Sequence, residues 1–270
     1  MSFPNEIEIP EVSSAEDPAF ADALAQSRPM IVRGMAKSWP AVERWTQEYL
    51  TERLGELKLT FHEGKSGAFP DPKGIKILQL RFADYLESLW SGTMERPTLL
   101  DGDSALVFAD RETRDEDFAP LEEDVVLPSC IRQEDLRQTS FCLACKGVSS
   151  WLHYDNNLMD NINAQVKGSK SVVLFSPDDT PNLYLHTYTV DGVNRAQFSR
   201  VDLRAPDAER FPDLREAQAW VGVIHAGDTV FIPSCWYHGF RHLGEINLNV
   251  NFWWQPEAIP WNAITARRSF

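Results

Sequence analysis

The residues best suited to chemistry are a histidine and a carboxylate separated by a single position. His153 and Asp155 stand in the stretch Trp151-Leu-His-Tyr-Asp155. On a strand, side chains at positions i and i+2 point to the same face, so both could reach one metal ion. A third ligand has to come from elsewhere in the chain. His238 is the candidate, because it follows a predicted strand that ends at Ile232.

Two imidazoles and one carboxylate on one side of a metal leave its opposite side open. This is the ligand set of non-haem Fe(II) oxygenases, in which O₂ and a co-substrate take the open positions. A histidine and an aspartate two positions apart also arise by chance, and a hydrogen-bonded core pair is the alternative interpretation. His153, Asp155 and His238 are therefore candidate catalytic residues and metal ligands whose surroundings have to support them.

Four further residues could hold a co-substrate beside such a metal. Lys170 leads into an apolar run, where it could carry a cation into a barrel and pair with a dicarboxylate; an exposed hairpin lysine is the alternative. Asn161 and Asn251 stand in strand patterns, in which asparagine is disfavoured, and a buried asparagine needs partners that a ligand would supply. Ser150, three positions before His153, adds a hydroxyl.

The elements that must position these residues change character along the chain. Before residue 139 the pattern is mixed, with predicted helices over 18–26, from Trp45 onward and over 82–90, and predicted strands over 30–33 and 57–62. After residue 139, short apolar strands alternate with turn signals, at 172–175, 229–232 and 246–254, which is typical of a sandwich or barrel.

This texture predicts a mainly β protein with a helical N-terminal part and a single domain over 1–270. We divide it into a mixed helical part at 1–138, a β core at 139–256 and a short tail at 257–270.

Charge is distributed unevenly over the 270 residues. Lys plus Arg is 26 and Asp plus Glu is 40, for a net charge of −14. Residues 101–124 hold ten acids against two arginines, and we expect this acidic segment to be a loop. Such a balance excludes general affinity for nucleic acid or anionic membranes. An apolar content of 43% and an aromatic content of 11% exclude wholesale disorder.

The N-terminus and the cysteines indicate a reducing compartment. Residues 1–6 lack the basic and apolar segments of a signal peptide, and no stretch approaches a membrane span. The four cysteines, Cys130, Cys142, Cys145 and Cys235, are too few for a disulfide scaffold. Cys142 and Cys145 have C-x-x-C spacing but lie on a predicted strand, where residues three apart face opposite sides, so we interpret them as ordinary thiols. The expected localisation is cytoplasmic, with no membrane association.

Five motifs follow one another along the chain, namely His153-Tyr-Asp155, Gln165 to Pro177, Ala226 to Pro233, Trp236-Tyr-His238 and Val250-Asn-Phe-Trp253. In this order they resemble the motifs of the JmjC-domain oxygenases of the cupin superfamily, which use Fe(II) and 2-oxoglutarate. Within that family the chain is most similar to small hydroxylases, namely the tRNA wybutosine-pathway hydroxylase and the asparaginyl hydroxylase that acts on hypoxia-inducible factor.

The resemblance implies a double-stranded β-helix, also called a jelly roll or cupin barrel. It implies that His153, Asp155 and His238 bind Fe(II), that Lys170 pairs with the distal carboxylate of 2-oxoglutarate, and that O₂ is the oxidant. Ser150, Asn161 and Asn251 would help to hold the co-substrate. The implied reaction is hydroxylation of a C–H bond with release of succinate and CO₂. Relative to similar family members, about two extra residues lie between Asp155 and Asn161.

The substrate stays open between classes. We expect a protein or peptide side chain, with a preference for basic substrates if the acidic segment borders the active-site mouth. A modified tRNA base of the wybutosine type is the alternative, and the net charge counts against it. Two further hypotheses are a non-catalytic cupin that binds a metal or small ligand and a histone demethylase. Either a monomer or a homodimer is compatible with the sequence.

Overall fold

A computed structural model describes most of the chain. The described residues are 3–63, 76–93, 98–100, 106–110, 119–155, 158–186, 189–190, 193–194, 197–207 and 209–255. None of the helices in these ranges is long and apolar enough to cross a membrane.

The secondary structure is dominated by strands, with short helices mostly in the first half. The strands in these ranges are β1 Glu6–Glu8, β2 Glu11–Val12, β3 Met30–Val32, β4 Lys58–Glu63, β5 Lys76–Arg81, β6 Thr98–Leu100, β7 Leu106–Asp110, β8 Leu136–Cys145, β9 Asp160–Lys167, β10 Ser169–Phe175, β11 Thr189–Val190, β12 Val193–Asn194, β13 Ala219–His225, β14 Thr229–Ile232, β15 Tyr237–His242 and β16 Ile246–Trp254. The α-helices are α1 Pro18–Ala25, α2 Pro40–Arg44, α3 Gln47–Leu54, α4 Phe82–Trp90 and α5 Ala119–Glu122, and 3-10 turns cover Pro177–Asn182 and Pro212–Arg215.

Two facing sheets form the body of the protein. The small sheet has the order β1-β13-β10-β15, and the large sheet has the order β2-β3-β14-β9-β16-β8-β6-β4-β5, with β7 also paired to β8. Val172 and Leu174 of the small sheet pack in one apolar cluster with Val230 and Ile232 of the large sheet. The predicted fold class is confirmed, because this is a mainly β jelly roll of the cupin type.

The helices cover the outer face of the large sheet. Side chains from α1 to α4 pack with the outward-facing residues of β9 and β16 in the largest apolar cluster. The outward-facing residues are Ile162, Ala164, Val166, Leu248, Val250 and Phe252. Since neighbours on a strand face opposite sides, the asparagines between these apolar residues face the interior of the barrel.

Two helix starts show how local chemistry sets the boundaries. Asp17 caps α1, which begins where the sequence predicts, and its carboxylate accepts a hydrogen bond from the Ala19 amide at 2.9 Å. The helix predicted from Trp45 instead begins at Gln47, because the Thr46 hydroxyl accepts from the Tyr49 amide at 3.2 Å and caps it there. Trp45 is buried just before the helix.

The N-terminal part contributes more strand than the sequence indicated. β1 joins the small sheet beside β13, β3 joins the large sheet beside β14, and β2 pairs with β3 at the outer edge of the large sheet. A sheet edge carries unpaired backbone groups, and these early strands pair with groups that would otherwise be exposed. Residue 139 is therefore not a boundary between sheets, because β1 to β3 belong to the same two sheets as the later strands.

The acidic segment is also more ordered than a loop where the structure describes it. β7 and α5 lie within it, so the loop prediction is wrong for those residues. Asp124 at its end is fully buried and accepts hydrogen bonds from Arg44 Nη1 at 2.9 Å, Trp45 Nε1 at 2.9 Å and the Tyr49 hydroxyl at 2.6 Å. This carboxylate holds α2 and α3 in place. Asp115, Glu116 and Asp117 lie outside the described residues.

Candidate metal centre

The segment that carries His153 and Asp155 is extended but is not a continuous strand. His153 pairs with His238 through two backbone hydrogen bonds, of 3.1 Å from its amide and 2.7 Å to its carbonyl. On its other side His153 forms an isolated bridge with Phe198, whose ring stacks on the imidazole at 5.7 Å between centroids. The predicted strand is thus a short extended link between β8 and β9, held from both sides.

Three predicted ligands converge at this link. Asp155 Oδ1 lies 3.6 Å from His153 Nε2 and 3.8 Å from His238 Nε2. One potential ligand atom from each residue lies within 4.8 Å of the other two. Among the described residues, this is the one group of three or more side chains that could hold a metal ion. His238 is buried on β15, whereas His153 and Asp155 are partly exposed, so the cluster can be reached from one side.

Backbone contacts on the far side of both rings favour the tautomer that a metal needs. His153 Nδ1 lies 2.8 Å from the Trp151 carbonyl oxygen, and His238 Nδ1 lies 3.1 Å from the Trp236 carbonyl oxygen. If each Nδ1–H donates to its carbonyl, each Nε2 presents a lone pair towards Asp155. Lone pairs facing a carboxylate repel it, and a cation between them removes that repulsion. The donor set therefore fits a divalent metal.

Asp155 is held on its other oxygen. Trp253 Nε1 donates to Asp155 Oδ2 at 2.8 Å, which leaves Oδ1 directed to the two imidazoles. Burial raises the pKa of the Asp155 carboxyl, but His238, His153 and the Trp253 hydrogen bond outweigh burial and hold the pKa well below its usual range. Burial lowers the pKa of His238 to about 4, an effect that Asp155 only partly offsets. A carboxylate and a neutral imidazole are the ligand forms required.

Lys170 lies deeper in the barrel on the same face as His238. It stands opposite His242 in the pairing of β10 with β15, and Leu174 stands opposite His238. Lys170 and Leu174 are four residues apart on β10, which corresponds to about 13 Å along the strand. The Lys170 side chain is 1% exposed, and its ammonium lies 4.3 Å from the centroid of the Phe240 ring, which is back towards the metal ligands.

The two predicted asparagines lie on the inner face of the large sheet with different surroundings. Asn161 on β9 is buried, and its Oδ1 has no hydrogen-bond partner in the described structure. Asn251 on β16 accepts from Asn163 Nδ2 at 2.6 Å and approaches Ser140 Oγ and Cys142 Sγ at 3.4 Å each. Asn161 is therefore better placed to receive a ligand than Asn251, which is already engaged.

Ser150 lies beside Phe240, and its amide donates to the Phe240 carbonyl at 2.9 Å. Its Oγ accepts a hydrogen bond from the Phe240 amide at 2.9 Å. The hydroxyl proton remains able to donate to a bound carboxylate.

The cysteines behave as the sequence indicated. All four lie within the described residues and none of them forms a disulfide; Cys142 is buried and Cys145 is partly exposed on β8. Since they stand three positions apart on a strand, they face opposite sides and do not form a ligand pair.

Sequence reasoning missed three groups at this site, namely Trp253, Asn163 and Phe198. A signal for Trp253 was present, since it stands two positions after Asn251 and therefore faces the same side of β16. Phe198 had no such signal, because it reaches His153 from a distant segment. The two positions after Asp155, part of the predicted insertion, lie outside the described residues.

Comparison with known proteins adds to this geometry. A family model described as a cupin-like domain matches residues 16–258. The tRNA wybutosine-synthesizing protein 5 of Danio rerio is 27% identical over 94% of this chain and 77% of that protein. The tRNA wybutosine-synthesizing protein 4 of Aspergillus oryzae is 28% identical over 90% of this chain but only 23% of its own length.

A second kind of relative carries a different name. Lysine-specific demethylase 8 of Danio rerio is 29% identical over 87% of this chain and 55% of its own length. Both kinds of relative are enzymes by name, and the resemblance predicted from the five motifs is confirmed. Since the cupin-like model covers nearly the whole chain, the protein belongs to the cupin-like domain family, with a domain of the JmjC type.

Proposed function

We propose that the protein is an Fe(II)- and 2-oxoglutarate-dependent dioxygenase that hydroxylates a C–H bond of a protein or peptide side chain. The observation that carries the proposal is the convergence of His153, Asp155 and His238 at an accessible edge of the barrel, with a buried ammonium deeper on the same inner face. Two imidazoles and one carboxylate are the ligand set of non-haem iron oxygenases.

The protein's own residues prepare the metal position. His153 Nε2, Asp155 Oδ1 and His238 Nε2 would hold Fe(II), while Trp253 and the two backbone carbonyls keep these atoms oriented. With 2-oxoglutarate and O₂, bound Fe(II) would supply the oxidising power for hydroxylation, with succinate and CO₂ as the other products. Phe198 covers one side of His153 and limits the access of water there.

The co-substrate would extend from the metal into the barrel. Lys170 would bind its distal carboxylate, and the counter-charge would offset the cost of burying the ammonium. The Ser150 hydroxyl would donate a hydrogen bond along the way, and Asn161 would donate one through Nδ2, the donor of its side-chain amide. The substrate would then approach from the partly exposed side of His153 and Asp155.

A protein or peptide substrate is the first candidate because of charge. A net charge of −14 disfavours a polyanion and favours a neutral or basic partner. A tRNA base is the second candidate, and the observation that favours it is the similarity to proteins named for wybutosine synthesis.

The first experiment tests the metal and the reaction together. Wild-type protein is expected to bind about one equivalent of Fe(II) or Mn²⁺ and to form succinate from 2-oxoglutarate in the presence of Fe(II) and O₂. The variant Asp155→Ala should do neither, because it lacks the central ligand. Asp178→Ala, which removes an exposed acid that is not part of the cluster, is the matched control. Equal metal content in Asp155→Ala and wild type, or no succinate from wild type, would contradict the proposal.

The second experiment separates the substrate classes. Basic peptides, matched acidic peptides and total tRNA are incubated with the active protein, and each is analysed by mass spectrometry for the gain of one oxygen atom. Oxidation of basic peptides alone supports the first candidate. Oxidation of a tRNA nucleoside alone would contradict a peptide substrate and support the second candidate, a tRNA base.

A further inference from the structure

His242 is a buried histidine to which the proposed chemistry gives no role. It ends β15 four positions after His238, so the two side chains point to the same inner face of the small sheet. In the pairing of β10 with β15 it stands directly opposite Lys170. Residues opposite each other in an antiparallel pair have Cβ atoms about 5 Å apart. His242 therefore borders the end of the barrel that holds the buried ammonium.

The imidazole of His242 carries an unused polar atom. The residue is 5% exposed, and its Nδ1 has no hydrogen-bond partner among the residues that the structure describes. A buried polar nitrogen without a partner costs about 1–3 kcal/mol, so such a group in a closed site indicates a missing ligand. The oxygens of a carboxylate are suitable acceptors for an imidazole N–H.

The charge state of this ring suits such a contact. Burial, with a smaller contribution from Lys170, lowers the pKa of His242 to about 3. The ring is therefore neutral near pH 7 and adds no second positive charge next to Lys170. A neutral imidazole donates through one nitrogen, and the ammonium supplies the charge.

We infer that His242 is a specificity-determining residue that, together with Lys170, binds the distal carboxylate of the co-substrate. The inference rests on the proposed function, because it concerns the same co-substrate. One carboxylate oxygen pairs with the Lys170 ammonium and the other accepts the imidazole N–H. A site with two donors at fixed positions discriminates against 2-oxo acids that lack the distal carboxylate, since such a ligand offers neither donor an acceptor.

The test compares two ligands that differ only in the group that His242 would bind. Dissociation constants of 2-oxoglutarate and of 2-oxopentanoate, which has a methyl group in place of the distal carboxylate, are measured by calorimetry on Mn²⁺-loaded protein. His242→Phe is expected to weaken binding of 2-oxoglutarate by about 10- to 100-fold and to leave 2-oxopentanoate within about twofold. His242→Gln, which restores an N–H donor, should recover part of the loss. His225→Gln, an exposed histidine at the end of β13, is the control and should leave both constants unchanged.

The outcomes separate the inference from the function on which it rests. Equal weakening of both ligands would show that His242 only supports the fold, and unchanged binding of 2-oxoglutarate would remove the contact altogether. Failure of the wild-type protein to bind 2-oxoglutarate would instead contradict the proposed function. If His242→Phe does not fold, histidine NMR of wild-type Zn²⁺-loaded protein decides. The His242 ring signals should move with 2-oxoglutarate and stay in place with 2-oxopentanoate, and signals that move with neither ligand would overturn the inference.

Discussion

The two faces of strand β9 are equally buried and chemically opposite. Ile162, Ala164 and Val166 face the helices and join the largest apolar cluster. Asn161, Asn163 and Gln165 face the interior of the barrel, and one amide oxygen of each has no hydrogen-bond partner among the described residues. The outer face has the composition of a core, and the inner face has the composition of a binding site.

This difference indicates that the outer face of β9 stabilises the fold, whereas the inner face does not. Burying an apolar side chain contributes about 1.5–3 kcal/mol, whereas burying an unpaired amide costs free energy. The inner face is therefore a site whose cost is recovered when a polar ligand binds. Substitutions on the two faces should have opposite consequences.

The largest expected effect on stability is on the outer face. Ile162→Ala should lower the free energy of unfolding by about 2–5 kcal/mol, because it leaves a cavity under the helices. Its neighbour Asn161→Leu should change it by less than about 1 kcal/mol, since an unpaired amide oxygen is removed. Urea denaturation measures both variants. A loss as large in Asn161→Leu as in Ile162→Ala would show that the two faces do not differ in this way.

A substitution of Lys170, deep in the barrel, is expected to have a comparably large effect, but on the binding of 2-oxoglutarate and not on stability. Lys170→Met should weaken 2-oxoglutarate binding by about 100-fold, because the distal carboxylate loses its charged partner. The same variant should unfold at an equal or higher denaturant concentration, since a desolvated ammonium is replaced by an apolar chain of similar length. Lys167→Met, on the partly exposed residue before the Gly168 turn, is the control. If Lys170→Met lost stability and bound 2-oxoglutarate as well as wild type, the lysine would stabilise the fold and not bind the co-substrate.

A smaller effect is expected where the inner face meets the metal ligands. Trp253→Phe keeps an aromatic ring, although a smaller one, but removes the hydrogen bond to Asp155 Oδ2, so the carboxylate can rotate away from the imidazoles. Metal affinity should fall by about 10- to 100-fold, as is typical for groups that orient metal ligands. Titration with Mn²⁺ followed by calorimetry measures it. Unchanged affinity would mean that the two imidazoles alone fix the carboxylate.

Much of this site could be predicted from residue types and strand alternation. The alternation in β16 placed Asn251 on the face opposite to Val250, and the spacing of His153 and Asp155 brought both to one side. What stayed hidden were contacts between segments distant in sequence. The stacking of Phe198 on His153 depends on a bridge that no local pattern encodes.

For the fold, the boundaries of single elements could be predicted from the sequence, whereas the pairing between distant strands could not. Strand β16 and helix α4 have the predicted boundaries, because their hydrophobic periods are unbroken. The early strands β1 to β3 were harder to place. The partners of β1 and β3, which are β13 and β14, lie about two hundred residues later, and a short strand does not reveal which edge it will join.

The backbone pairing of His153 with His238 also has a consequence for biosynthesis. His153 and His238 stand 85 positions apart in the sequence. During synthesis His153 and Asp155 therefore emerge from the ribosome well before His238 does. The β16 strand that completes the large sheet emerges later still. High-affinity metal capture should therefore be a late step that follows closure of both sheets. Because only the closed chain presents all three candidate ligands together, an ion bound there would also hold the newly made protein in its folded state.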